Sequence, residues 1–180
     1  MRSYNNWGQH RQTNHGLLVF AWLMCLVFVG FIAARGIAAI EFNRSCGGYL
    51  RRAADANTIE LAKNNLNTAV SYLRANNLTS GYTSVLYTTP DEDIGFWFSN
   101  LESSLKELEN ISPEVTTLEQ SNVLLKLRET ILHDAGESGD RVTAPDGISV
   151  YPNNALFGLW GILSFSLMIV CFVYWFKEYS

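Results

Sequence analysis

The chain has 180 residues, of which 48% are hydrophobic, and its formal net charge at pH 7 is −4. Its 13 lysine and arginine residues form no dense basic run, and an acidic protein is repelled by phosphate, so these features exclude nucleic acid as a partner. Three cysteines are too few for a disulfide scaffold, and no residues have the spacing of a metal site or of a nucleophile with its base. We therefore expect no cofactor and no enzymatic activity.

The first element is an apolar run, residues 17–34, that follows a polar tail, residues 1–16. None of the side chains in the run is charged, an amide or a hydroxyl. As an α-helix it covers about 27 Å, close to the thickness of the hydrocarbon core of a bilayer. It is also longer than the apolar region of a cleaved signal peptide, which has about seven to fifteen residues. We therefore predict a first transmembrane helix over residues 17–40.

Small residues recur on one face of this helix. Gly30, Ala34 and Ala38 are spaced four residues apart, and Gly158 and Gly161 form a small patch in a second apolar run near the end of the chain. Small side chains let two membrane helices approach closely. We predict that these five residues pack the two membrane helices together, with self-association of the protein as the alternative.

A water-facing domain is predicted between the two apolar runs, over residues 41–154. It contains sixteen acidic and nine basic side chains, so it is acidic as a whole. Near its start, the adjacent Gly47 and Gly48 predict a hinge, because glycine weakens a helix. Cys46 is the only cysteine outside the apolar runs, and we expect it to be a solvent-facing thiol that is either passive or joins two copies of the chain.

Three helices are predicted in this domain from apolar residues that recur at steps of three and four. They cover residues 49–76, 89–110 and 112–134. Residues 78–88 are β-branched, aromatic and glycine-rich, which predicts a loop with a short extended piece at residues 84–87.

The start of the second helix has a recognisable capping pattern. Thr89, Pro90 and Glu92 are typical of a capping box, in which the threonine hydroxyl and the glutamate carboxylate each accept a hydrogen bond from a backbone amide. This pattern predicts that the helix begins at Thr89. Ser112, Pro113 and Glu114 predict the start of the third helix in the same way.

The third predicted helix has an unusually wide apolar surface. At 100° per residue, its apolar side chains form two neighbouring stripes, which are Leu118, Leu125 and Leu132 in one and Leu124, Leu127 and Ile131 in the other. One neighbouring helix covers one stripe, so either the returning chain or another protein covers the second. We predict that a partner binds Leu124, Leu127 and Ile131, and hence that charged residues at Leu124 and Ile131 weaken association while the domain stays folded.

Phe96 is a further candidate for contact with a partner. It shares a helix face with the polar residues Asn100, Ser103 and Glu107. The loop of residues 82–87 either covers this ring or leaves it exposed as a contact for another molecule.

The chain ends in a second predicted transmembrane helix, residues 155–176, and a short tail, residues 177–180. Before it, residues 141–151 predict two short extended pieces around a turn. Two spans place both termini on one side of the membrane. The basic residues near the spans favour neither side, but the domain is poor in lysine, and long loops are translocated largely regardless of charge. We therefore predict the domain outside and both termini in the cytoplasm.

The predicted fold is an all-α membrane protein in which two transmembrane helices flank a small antiparallel bundle of three helices with minor extended segments. For such a chain we predict a non-enzymatic role in protein interaction or structure, for instance as an accessory subunit of a membrane complex. Its partners are then the lipid bilayer and either another membrane or extracytoplasmic protein or a second copy of the chain. A ligand-sensing domain that signals through a partner is the alternative, and a membrane enzyme is a more distant one. A pocket lined by convergent polar groups favours sensing, and an exposed apolar surface favours assembly.

Overall fold

The computed structural model describes residues 10–112, 116–133 and 141–179, which are mostly helical. The expected predominance of α-helix is therefore confirmed. The β-structure of these residues is one two-stranded sheet and one isolated bridge. Contacts between Cα atoms divide the described residues into two units, one within Met1–Gly36 and Ala155–Ser180 and the other within Ile37–Asn154.

The first unit consists of parts of two long helices, α1 (His10–Phe42) and α6 (Asn154–Tyr179). Both helices are long and apolar enough to cross a membrane. Most of their large apolar side chains are exposed within the chain itself. Exposed apolar surface of this extent is unfavourable in water.

Aromatic rings pack α1 and α6 against each other in the first unit. The ring centroids of Phe28 and Phe165 lie 5.4 Å apart, and those of Phe31 and Trp160 lie 5.8 Å apart. A Cβ atom added to Gly161 would lie 2.8 Å from the ring of Phe31. The missing side chain of Gly161 therefore makes room for this ring.

The second unit begins with the end of α1, a π-helical segment (Asn43–Gly47) and α2 (Gly48–Ala54). The hinge predicted at Gly47 and Gly48 is wrong, because both residues have helical backbone angles. An added Cβ would lie 2.8 Å from Asn43 Oδ1 at Gly47 and 3.0 Å from the Asn43 carbonyl oxygen at Gly48. The crowded π-turn, rather than a hinge, therefore accounts for the two glycines.

The helix predicted over residues 49–76 is divided into α2 and α3 (Ile59–Ala75). Thr58 has an extended backbone and is the N-cap of α3, because its hydroxyl accepts a hydrogen bond from the N–H of Leu61 at 3.3 Å. A good N-cap contributes about 1 kcal/mol, which favours a new helix start within an otherwise helical pattern. The described part of the second unit thus has four helices after α1 and its π-helical extension, rather than three.

Helix α4 (Ile94–Glu109) begins at Asp93 and not at Thr89, so the predicted capping box is wrong. The Asp93 carboxylate accepts a hydrogen bond from the N–H of Phe96 at 3.0 Å, whereas Pro90–Glu92 is a separate 3-10 turn. The Thr89 hydroxyl donates to the Glu92 carboxylate at 2.7 Å, so these two side chains bind each other instead of backbone amides. The backbone bridge between Tyr82 and Asp93 holds Asp93 extended, as an N-cap requires.

Helix α5 (Thr117–Ile131) begins at Thr116, whose hydroxyl accepts a hydrogen bond from the N–H of Glu119 at 3.3 Å. Residues 113–115, which include two members of the predicted cap, lie outside the described residues, as does the predicted helix end at residue 134. The helix ends at Ile131 because strand β1 (Leu132–His133) pairs antiparallel with β2 (Arg141–Val142).

The other predicted extended pieces are present only in part. In residues 141–151, β2 is extended but Ile148–Val150 is a 3-10 turn that follows Gly147, whose φ of 79° lies in the left-handed region. Residues 84–87 pair with no strand; the isolated bridge lies at Tyr82.

The core of the second unit is built from α2, α3, α4 and α5. Its fully buried large side chains come from all four helices and are Leu50, Leu66, Val70, Leu73, Ile94, Leu101 and Ile131. Each such side chain contributes about 1.5–3 kcal/mol of favourable burial. This core fixes the start of α4 and the end of α5.

The N-cap assignment predicts that Asp93→Ala destabilises the second unit by about 0.5–2 kcal/mol, because it removes the acceptor for the N–H of Phe96. Thr89→Ala removes only a contact between two side chains and should cost less. Urea unfolding of the full chain in detergent, followed by circular dichroism at 222 nm, measures both. A larger loss for Thr89→Ala than for Asp93→Ala would contradict the assignment.

Candidate functional site

The loop of residues 83–89 is closed at its base by backbone hydrogen bonds. The N–H of Thr83 donates to the carbonyl of Glu92 at 3.1 Å, and the N–H of Ile94 donates to the carbonyl of Gly81 at 2.9 Å. The second bond fastens the segment before the loop to the first residue of α4. The loop is therefore held at both ends on the rigid start of a helix.

This loop buries polar groups and exposes apolar side chains, which is the inverse of the arrangement favoured in water. The hydroxyls of Thr83 and Ser84 are buried and have no hydrogen-bond partner among the described residues. The next three side chains, Val85, Leu86 and Tyr87, are exposed, and Leu86 is 90% exposed. We call these three residues the loop tip. A buried hydroxyl without a partner costs about 1–3 kcal/mol, and an exposed leucine forgoes about 1.5–3 kcal/mol of burial.

Next to the loop lies a cleft with a volume of about 590 Å³. One wall is the turn and first residues of α4, and the other is formed by the ends of α5 and β1 with the chain from β2 onward. Its ionisable side chains are four carboxylates, one guanidinium and one imidazole, from Asp91, Glu92, Asp93, Asp146, Arg141 and His133. Because the carboxylates outnumber the basic groups, the cleft is negative and suits a cationic group more than an anionic one.

Phe96 lines this cleft and is 64% exposed. The loop does not cover the ring, so of the two interpretations of Phe96 the structure favours the exposed one. The neighbouring Trp97 also lines the cleft but is buried in the core. Aromatic faces beside carboxylates are favourable surroundings for an organic cation, at about 0.5–2 kcal/mol for each cation–π contact.

Two of the other residues predicted to bind a partner are instead part of the core of the unit itself. Ile131 is 0% exposed, Leu127 is buried, and Leu124 is partly buried against the same core. In the other stripe, Leu118 and Leu125 are exposed, whereas Leu132 is buried in the core. A charged side chain at Ile131 would be buried without a counter-charge, at a cost of several kcal/mol. We therefore expect it to unfold the unit instead of selectively weakening association with another protein.

The five small residues predicted to pack the membrane helices differ in their surroundings. Gly161 lies against the ring of Phe31, whereas a Cβ at Gly30 or Gly158 would have no atom within 4 Å. Ala34 and Ala38 are partly exposed. In the first unit the close contact is therefore made at Gly161, by an aromatic side chain.

Cys46 is not the solvent-facing thiol that the sequence indicates. It is 0% exposed within the core of the second unit, and this burial raises the pKa of the Cys46 thiol to about 12. The thiolate is the reactive form of cysteine, so Cys46 stays protonated and inert at neutral pH. It is in no position to link two copies or to react with a reagent in solution.

The described residues contain no group of three or more metal-binding side chains. Comparison of the chain with protein-family models, with curated proteins and with solved structures finds no match.

The amino-acid sequence alone does not indicate the loop tip as a functional feature. Val85, Leu86 and Tyr87 follow two hydroxyl residues in a segment without helical periodicity. An apolar triplet in such a segment is the available signal, but it is equally typical of a buried loop or a short strand.

Proposed function

We propose that the protein is a non-enzymatic, membrane-anchored interaction protein that acts as an accessory subunit of a membrane complex. Its apolar helices α1 and α6 cross the bilayer, and its second unit binds another polypeptide through the loop tip.

The anchoring part of the proposal is supported by the exposed apolar side chains of α1 and α6. Both helices pass the length and composition requirements for a membrane span. A helix has all its backbone hydrogen bonds satisfied internally, so it needs only apolar side chains to be stable in lipid. In the first unit the side chains of α1 and α6 cover only part of this surface, and lipid covers the rest.

The interaction part rests on one observation, the inverted polarity of the loop. Flexible polar loops expose their hydroxyls and hide their apolar residues, but this loop does the opposite while its base is fixed by two hydrogen bonds. A partner that covers the tip recovers the missing burial of Leu86 and of its two neighbours. Tyrosine is enriched among the residues that contribute most of the binding energy at interfaces, so Tyr87 suits such a contact.

A ligand-sensing function is the second candidate, because the cleft brings aromatic and charged groups together. Its volume lies within the range of small-molecule sites, about 300–1,000 Å³. The loop tip does not line the cleft, so a small-molecule function leaves the exposure of the tip unexplained. The interaction function accounts for the tip and is therefore preferred.

The interaction function predicts that Leu86→Ser reduces the recovery of a co-purifying protein at least roughly tenfold, because loss of a central apolar contact costs about 2 kcal/mol or more. The measurement is quantitative mass spectrometry after affinity purification of the full chain in mild detergent. Leu118→Ser is the matched control, since Leu118 is also an exposed leucine but lies on α5. Equal recovery of the co-purifying protein with the unaltered chain, Leu86→Ser and Leu118→Ser would contradict a role for the loop tip in binding.

The proposed orientation places the second unit outside the cytoplasm. We expect Ser103→Cys, at an exposed position on α4, to react with a membrane-impermeant maleimide in intact cells. The unaltered chain is the control and should remain unlabelled, because Cys46 and Cys171 are buried and Cys25 lies in the apolar run of α1. Labelling of the Ser103→Cys chain only after lysis would place this unit in the cytoplasm instead.

A further inference from the structure

We infer that the cleft is a binding site for a basic amino acid, that is, a small molecule with two cationic groups and one carboxylate. The inference goes beyond the proposed function and does not depend on it, because no residue of the loop tip lines the cleft. It is carried by charged, aromatic and hydrogen-bonding groups that line one cavity and have no partners of their own within the described residues.

Both walls of the cleft are fixed by hydrogen bonds. On the wall formed by α4, the Asp93 carboxylate caps the helix. On the opposite wall, the N–H of Thr143 donates to the carbonyl of Ile131 at 2.8 Å, and its hydroxyl donates to the carbonyl of Thr130 at 3.0 Å. A cavity with walls that are already ordered binds a small molecule without the entropic cost of ordering them.

Charges of both signs line the cleft without pairing with each other. Asp91 and Asp146 have exposed carboxylates, and Arg141 has an exposed guanidinium. None of these three side chains makes a hydrogen bond or an ion pair within the described residues, whereas Glu92 and Asp93 already accept hydrogen bonds. The unpaired charges are thus two negative and one positive. They are complementary to a ligand with two cationic groups and one carboxylate.

Uncharged groups of the cleft also lack partners. Trp97 lines the cleft and is only 7% exposed, yet its indole N–H donates to no acceptor among the described residues. Almost all buried donors in folded proteins are paired, so an acceptor on a bound molecule accounts for this one. The side-chain amide of Asn100 has no hydrogen bond in the described part of the chain either. The exposed ring of Phe96 provides an apolar face for the aliphatic chain of the ligand and attracts its cationic end.

Other small ligands match this set of groups less well. The described residues bring no three metal-binding side chains together, so the carboxylates of the cleft suit an organic cation more than a metal ion. A simple amine would leave Arg141 without a counter-charge. An amino acid with a neutral or acidic side chain would leave one of the two unpaired aspartates without a counter-charge. A basic amino acid provides a counter-charge for all three side chains.

The test is isothermal titration calorimetry of the full chain in mild detergent at neutral pH, with three probes of similar size. L-Lysine has all three charged groups, cadaverine lacks the carboxylate, and L-norleucine lacks the side-chain ammonium. We expect saturable binding of lysine. Its affinity should exceed that of either other probe at least about tenfold, because a hydrogen bond to a charged group contributes more than a neutral one.

Variants assign the charged groups of the ligand to residues of the cleft. With Arg141→Gln the preference for lysine over cadaverine should fall to about twofold or less, because the carboxylate loses its counter-charge. With Asp91→Asn and Asp146→Asn combined, the preference for lysine over norleucine should fall in the same way. Lys106→Gln and Glu109→Gln remove exposed charges of α4 that do not line the cleft, so these controls should keep both preferences. A merely structural role would weaken all three probes alike.

Each other outcome overturns the inference at a definite point. Equal affinity of the unaltered chain for lysine and cadaverine overturns the carboxylate of the ligand and the role of Arg141. Equal affinity for lysine and norleucine overturns the second cationic group. The absence of saturable lysine binding, or preferences that survive the changes in the cleft, overturns the site itself. None of these results bears on the recovery of a co-purifying protein with Leu86→Ser, so failure of this inference is distinguishable from failure of the proposed function.

Discussion

Two backbone hydrogen bonds organise the second unit at the start of α4. The bonds from Ile94 to Gly81 and from Thr83 to Glu92 close the loop and hold Asp93 extended. Because Asp93 is extended, its carboxylate caps α4, and Asp91, Glu92 and Asp93 line the cleft. The exposure of the loop tip and the negative charge of the cleft thus have a common structural origin.

Much of the helical structure was predictable because helix formation follows local periodicity. The sequence shows the apolar runs of α1 and α6 without any tertiary information. It also shows the apolar residues that recur at steps of three and four in α4 and α5. The errors occur where a distant contact decides the outcome. Thr89 satisfies every local requirement of an N-cap, but the bridge from Tyr82 selects Asp93 instead. The π-helical turn beside Cys46 likewise depends on how tightly the chain packs on itself.

The candidate site was less predictable than the fold. The two stripes of α5 are similar in size and composition, so periodicity alone gives no preference for burying Ile131 or exposing Leu125. Phe96 was found because an aromatic residue on a polar helix face is visible in the sequence. The loop tip was not found, because its exposure depends on the orientation of Thr83 and Ser84, which only the folded structure shows.

The central claim is that the loop tip is covered when the protein is in its own membrane. Hydroxyl-radical footprinting, read out by mass spectrometry, measures the accessibility of Leu86 and Tyr87 directly. The account predicts that both side chains are protected in native membranes and oxidised in the purified chain, while the exposed Leu118 is oxidised equally in the two samples. Equal oxidation of Leu86 in native membranes and in the purified chain would contradict the claim.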